Sequence, residues 1–193
     1  MKAYKDFEAK KATGGREILP AGGYVCEIKS AKEEQYSGNN GTFSFLVLAI
    51  EVVEGEYAGF WKRDFDSNDR EDKKWRGIYR ISIPKDDGSE SDAWTKRSFN
   101  NFIWAIQESN PGYAWAWEEK TLKGKKLGVL YRNKEWEMNG RTGWTTEAAG
   151  AVSVDDCRAG KFRLPKDKPL KNRPEEQAAP VLETVDDEDS LPF

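Results

Sequence analysis

Asn139-Gly140 stands between two β-rich runs, Lys126 to Met138 and Gly143 to about Val154. An Asn-Gly pair tolerates positive φ at both positions, so it joins antiparallel neighbours in a tight turn, and the C-terminal half of the chain must contain a β-hairpin.

Three β segments precede it. After Pro20-Ala21-Gly22-Gly23, the residues Tyr24, Cys26 and Ile28 alternate with more variable ones, as in a half-buried strand. Ser37-Gly38-Asn39-Asn40-Gly41 reads as a turn. Thr42 to Val53 then carries apolar residues on both parities, the mark of a central strand covered on both faces over part of its length. Phe43 and Phe45 read as core there. Phe60-Trp61-Lys62-Arg63-Asp64-Phe65 opens a further strand, the charged loop Asp66 to Lys74 interrupts it, and Trp75 to Ile83 resumes it.

Beyond Pro84 to Gly88 the apolar period changes from two to about 3.6. Ser89-Glu90-Ser91-Asp92 forms a capping box, Phe99, Phe102, Ile103 and Ile106 share one helical face, and Asn110-Pro111-Gly112 ends the helix. Tyr113 to Lys120, with Trp115 and Trp117, reads as a linker packed on the body. Val154 to Gly160 reads as a short closing turn of helix. Three strands, one helix and two strands is the order of an OB-fold: an all-β domain with one helix, a five-stranded Greek-key barrel whose end the helix plugs. The expected division is a flexible arm over residues 1–18, the OB-fold domain over 19–170, and a disordered acidic tail over 171–193.

Charge is distributed unevenly along this chain. The formal net charge is -3, yet residues 175–193 hold seven carboxylates and no basic side chain. Setting those seven aside from the 34 acidic residues leaves 27 against 31 basic ones, so the body carries about +4. The chain ends Asp186-Asp187-Glu188-Asp189-Ser190-Leu191-Pro192-Phe193. Four carboxylates before an apolar tip suit capture by another protein, with basic side chains holding Asp186, Asp187, Glu188 and Asp189 and a groove taking Leu191, Pro192 and Phe193.

There is no histidine, which excludes Ser-His-Asp and Cys-His nucleophiles, His-containing zinc sites and a histidine base. Cys26 and Cys157 lack Cys-x-x-Cys spacing and read as buried thiols of a reducing cytosol. No signal-peptide core or membrane-length apolar run is present, so no membrane partner is expected. No cofactor and no enzymatic activity are expected.

Aromatic residues are instead interleaved with cations. Phe60-Trp61-Lys62-Arg63, Lys73-Lys74-Trp75-Arg76, Tyr79-Arg80, Tyr131-Arg132-Asn133-Lys134-Glu135-Trp136 and Arg141-Thr142-Gly143-Trp144 repeat one theme. Unpaired bases stack on aromatic rings at about 1–3 kcal/mol each, and Lys and Arg neutralise phosphates, so such a surface binds single strands without reading sequence. Trp61, Trp75, Trp136 and Trp144 are the leading stacking residues, with Tyr79 and Tyr131 beside them. Lys62, Arg63, Lys74, Arg76, Arg80, Arg132, Lys134 and Arg141 supply the charge. A two-residue Asn139-Gly140 loop pairs Met138 with Arg141 and sends Trp136 and Trp144 to opposite faces. A three-residue loop including Arg141 sets the two indoles across from each other, and this platform is the favoured expectation.

The acidic cluster Asp64, Asp66, Asp69, Glu71 and Asp72 raises a magnesium-dependent nuclease as a lesser alternative, with Asp64 and Asp66 as ligands. Arg63, Arg70, Lys73 and Lys74 interleave these carboxylates, as in a solvated, self-paired loop. A calcium loop fails, since its glycine position holds Asp69 and its final glutamate position holds Trp75.

The acidic Pro-Phe ending resembles the tip of bacterial single-stranded DNA-binding proteins, with Ser190-Leu191 where an acidic residue and isoleucine are usual. The body, from about Leu19 to Leu170, resembles the OB-fold single-stranded DNA-binding proteins of phages and prophages of Gram-positive bacteria. The segments that carry this likeness are Leu19-Pro20-Ala21-Gly22-Gly23-Tyr24, Leu122-Lys123-Gly124-Lys125-Lys126-Leu127-Gly128 and Gly160-Lys161-Phe162-Arg163-Leu164-Pro165. The resemblance implies a protein that coats single-stranded DNA in phage-type replication or recombination. It also implies recruitment of replication and recombination proteins through the tip, in the cytoplasm of an infected or lysogenic host. Self-association into a homo-oligomer is left open, and an RNA-binding protein or nucleic-acid chaperone on the same fold is the alternative.

Overall fold

The computed structural model describes residues 17–38 and 41–170. Nearly all of the expected arm, residues 1–16, and the expected tail with its docking tip lie outside the described residues. The rest is mostly β: a five-stranded antiparallel sheet with three helices. The strands are β1 (Gly22–Gly38), β2 (Gly41–Val52), β3 (Ile78–Ser82), β4 (Lys126–Met138) and β5 (Arg141–Val152). The helices are α1 (Phe60–Asp66), α2 (Glu90–Ser109) and α3 (Val154–Arg158), with a single 3-10 turn at Glu119–Leu122.

The strand order is β3-β2-β1-β4-β5. β1 pairs with β2 along Cys26 to Gly38 and with β4 along Gly22 to Glu27, and a register shift between Ile28 and Ser30 separates its straight segments. Such an irregularity increases local bend and twist, which lets one long strand serve two neighbours. The sheet curls, but the expected closed barrel is not what the ladder forms: no pairing joins β3 to β5 among the described residues. α2 packs against β3, β4 and β5 instead.

α2 forms as its residues dictate. Ser89 accepts a hydrogen bond from the Asp92 amide at 3.2 Å, and Asn110 caps the far end. The reciprocal half of the capping box is absent, because the Asp92 carboxylate turns to the Lys85 amide at 2.7 Å. Phe99, Phe102 and Ile106 are buried, with Ile103 half-buried beside them, against Leu46, Leu48, Ile50, Tyr79, Ile81, Val129 and Tyr131 of the sheet. β2 is buried on both parities at Leu46, Val47 and Leu48. A smaller cluster of Val25, Val154 and Cys157 lies under α3, where Gly128 is needed because a Cβ there would meet the Cys157 Cβ at 2.7 Å. Both thiols are free and buried, and burial pushes that of Cys157 up to about 11.

The segment Phe60 to Phe65, expected as strand, is helical. Gly59 offers no capping side chain, so the first amides of α1 need a partner from elsewhere. Glu51 of β2 supplies it: Oε1 accepts from the Trp61 amide at 3.0 Å and Oε2 from the Lys62 amide at 2.8 Å, within a buried environment. Charge-assisted capping of this kind favours the helix, and Lys62 with Asp66 adds an i,i+4 ion pair at 2.6 Å. The expected strand therefore shrinks to Ile78–Ser82.

Residues Asp167 to Leu170 form a strap along the part of β4 that β1 does not reach. Lys168 donates to Asn133 O and accepts from the Glu135 amide, both at 2.9 Å, and the Leu170 amide donates to the buried Glu135 carboxylate at 3.1 Å.

Replacing Glu51 with Ala removes the α1 cap and the carboxylate partner of three amides, those of Val52, Trp61 and Lys62, so stability is expected to fall by about 2 kcal/mol in chemical denaturation. Gly77→Ala is expected to cost about 1–3 kcal/mol, the range for overpacking, because its Cβ would meet Ile50 O at 2.4 Å and the Trp61 ring at 2.6 Å.

Candidate nucleic-acid interface

The open seam between β3 and β5 is a groove of about 730 Å³. β3 lines one wall, Arg132, Lys134, Glu147 and the strap's Lys168 line the other, and Trp94, Thr95 and Ser98 of α2 complete it. Four cations, Arg80, Arg132, Lys134 and Lys168, thus face one carboxylate. The Glu147 carboxylate holds Arg132 at 2.7 Å, Lys134 at 3.0 Å and Lys168 at 3.4 Å. Burial alone would raise its pKa, but the hydrogen bonds from Arg132 and Lys134 and the charges of Lys134 and Lys168 outweigh that and hold it below the ordinary carboxylate value.

Trp94 is 63% exposed, and the Arg97 guanidinium lies 4.8 Å from its ring centroid. It sits off the apolar stripe of α2, and that phase beside Lys96-Arg97 was the signal available for it in the sequence. The outer faces of β1, β2 and β3 extend the same surface. Tyr36 and Phe43 are paired across strands and exposed, Phe45 is half-buried with its ring 5.6 Å from Tyr36, and Lys85 Nζ lies 4.3 Å over Phe43. Phe43 and Phe45 are therefore not core: β2 turns its even residues inward, and these odd ones outward. Val47, next on that outer face, pairs with Arg80.

The expected binding residues divide sharply. Trp61 and Tyr79 are 6% exposed and Tyr131 is 2% exposed, so all three are core and have no ring face for a base. Trp61 lies on the buried side of α1 itself, and Tyr79 and Tyr131 stand on the inward parity of β3 and β4. Trp75 is half-buried, its indole N–H donating to Ile50 O at 3.1 Å. Lys62 and Arg63 are exposed on α1, Arg63 donating to Ala58 O, and neither lines the groove. Lys74 is exposed on the following loop, while Arg76 lies 3.6 Å from Asp64 and lines a separate recess with Glu17, Leu19 and Thr146. Arg80, Arg132 and Lys134 are the expected cations that the fold brings together.

The hairpin also departs from the favoured register. Asn139 and Gly140 have φ of 52° and 72°, and Met138 pairs with Arg141, so the loop has two residues. Trp136 pairs with Gly143 and Trp144 with Glu135, which puts the indoles on opposite faces and removes the platform. Trp136, 37% exposed, shares the parity of Arg132 and Lys134; its ring lies across Gly143, where a Cβ would come within 2.7 Å. Trp144 and Arg141 are exposed, Trp144 on the other face.

Of the acidic cluster, Asp66 is paired with Lys62, and no group of three or more carboxylates or thiols among the described residues is arranged to hold a metal ion. No helix among them is long and apolar enough to cross a membrane. No protein-family model matches the chain, and no curated protein matches it.

The Glu147 ion pairs stabilise the fold fully above the unfolded carboxylate value of about 4.3 and lose that contribution as pH falls toward the lowered folded value. The Tm difference between the wild type and Glu147→Gln is therefore expected to shrink toward zero on acidification below pH about 4, as followed by circular dichroism.

Proposed function

We propose that this protein binds single-stranded DNA without sequence preference, on a sheet of OB-fold type. The strand order β3-β2-β1-β4-β5, with the long helix between β3 and β4, supports that fold reading, the seam between β3 and β5 standing where a barrel would close. The observation that carries the function is the seam itself: four cations against one carboxylate, with an exposed indole at its edge and exposed aromatic rings on the adjoining strands. Phosphates need the cations and bases need the ring faces, and no hydrogen-bonding pattern specific to one base is required. Arg80, Arg132, Lys134 and Lys168 would track the backbone, while Trp94, Trp136, Tyr36 and Phe43 would offer stacking surfaces.

Such a protein serves phage-type replication or recombination by coating exposed strands and bringing enzymes to them. The acidic tip, Asp186 to Phe193, would do the recruiting, since its carboxylates and terminal Leu191-Pro192-Phe193 suit a basic, apolar pocket on a partner enzyme. Removing residues 186–193 is expected to preserve or strengthen DNA affinity and abolish recruitment.

Titration with an oligothymidine tests the reading through tryptophan fluorescence. Saturable quenching that weakens with salt is expected, its amplitude reduced in Trp94→Phe. Arg80→Ala with Lys134→Ala is expected to weaken binding at least tenfold at low salt. A folded protein that shows no salt-dependent binding would overturn the proposal.

A further inference from the structure

The Glu147 carboxylate lies where three cations from two segments converge. Its Oε1 accepts from Arg132 Nε at 3.0 Å and Nη2 at 2.7 Å, and Lys168 Nζ approaches the same oxygen at 3.4 Å. Lys134 Nζ lies 3.0 Å from Oε2. Arg132 and Lys134 come from β4, Lys168 from the strap. A guanidinium fork with two ammonium groups is a donor set that suits a phosphate as well as a carboxylate.

We propose that Glu147 is a built-in competitor for phosphate: in the free protein its carboxylate occupies the position among Arg132, Lys134 and Lys168 that a backbone phosphate of single-stranded DNA takes in the complex. The proposal rests on the reading of the groove as a DNA-binding surface. Two properties of the cluster carry it. The first is donor capacity, since Arg132 offers five N–H groups and each lysine three, far more than one carboxylate accepts. The second is accessibility: the side chains of Glu147, Arg132, Lys134 and Lys168 retain between 24% and 50% of their exposure, so a polyanion reaches them without unfolding anything. Ion pairs this exposed are individually weak and exchangeable.

The consequence is selectivity for a strand over a lone anion. A small anion that displaces Glu147 gains one set of contacts and loses an equivalent set. A strand that displaces it also meets Arg80 and the aromatic faces, and gains a surplus.

Oligothymidine affinity measured across a range of sodium chloride concentrations for the wild type, Glu147→Gln and Glu54→Gln tests this. Glu54 is paired with Arg158, outside the groove, and its neutralisation makes the same change in net charge. Glu147→Gln is expected to bind at least tenfold more tightly at low salt, with a log affinity against log salt slope steeper by about 0.7, one charge, because no displaced carboxylate takes up a counterion in return. Glu54→Gln is expected to match the wild type. An equal gain in both variants would assign the effect to net charge and overturn the proposal. Unchanged or weaker binding by Glu147→Gln, with the wild type still binding, would overturn it and leave the DNA reading standing. Binding by none of the three would overturn both. If Glu147→Gln does not unfold cooperatively, the Arg132 Nε–H resonance of the wild-type protein decides: a shift on adding oligothymidine supports displacement of Glu147, and an unmoved resonance in a DNA-bound protein overturns it.

Discussion

The double pairing of β1 is the constraint on which the sheet depends. Seventeen residues of extended chain span roughly 55 Å, too long for a flat strand in a domain of this size. Pairing its first third with β4 and the remainder with β2 forces the strand to bend, and the irregularity between Ile28 and Ser30 is where it does so. That bend carries β3 and β5 round toward each other. α2 packs against both and against β4, placing Phe99, Phe102 and Ile106 in the core they share, while the groove at the seam stays open to solvent. Residues as distant in sequence as Arg80, Trp94, Arg132 and Lys168 line one groove as a result.

Buried carboxylates position the elements around that groove. Glu51 organises the start of α1, Asp92 ties α2 to the loop before it, and Glu135 holds the strap through the Leu170 amide. Each accepts at least one main-chain N–H, which offsets part of the cost of burying the carboxylate. Glu147 differs in accepting only from side chains, among the hydrogen bonds of the described residues. Three carboxylates thus serve architecture, and the fourth governs the charge of the surface.

The legible parts of the fold were those with local causes. α2 was visible through Ser89, the Phe99 stripe and Asn110, all within one segment, and the β4–β5 hairpin through Asn139-Gly140. α1 was illegible because its cap, Glu51, lies ten residues before Trp61 on another element, while Phe60-Trp61 alone reads equally well as strand. The helix buries Trp61. Tyr79 and Tyr131 failed for a related reason: a cation next in sequence points to the opposite face of a strand, so Arg80 and Arg132 are outward because the tyrosines are inward. Lys168 and Trp94 were missed because the strap has no strand pattern of its own and the apolar stripe of α2 runs along its other side. The wider hairpin loop was a poor expectation because Asn and Gly already satisfy both positive-φ positions of a two-residue turn.

That two-residue turn gives the protein an optical asymmetry. A single hairpin holds one indole on the face of Arg132 and Lys134 and another on the reverse, both fixed in register by the same ladder. Trp136 reports what touches the groove side, and Trp144 serves as its internal reference, so a ligand that perturbs one resonance and spares the other declares which side of the sheet it occupies.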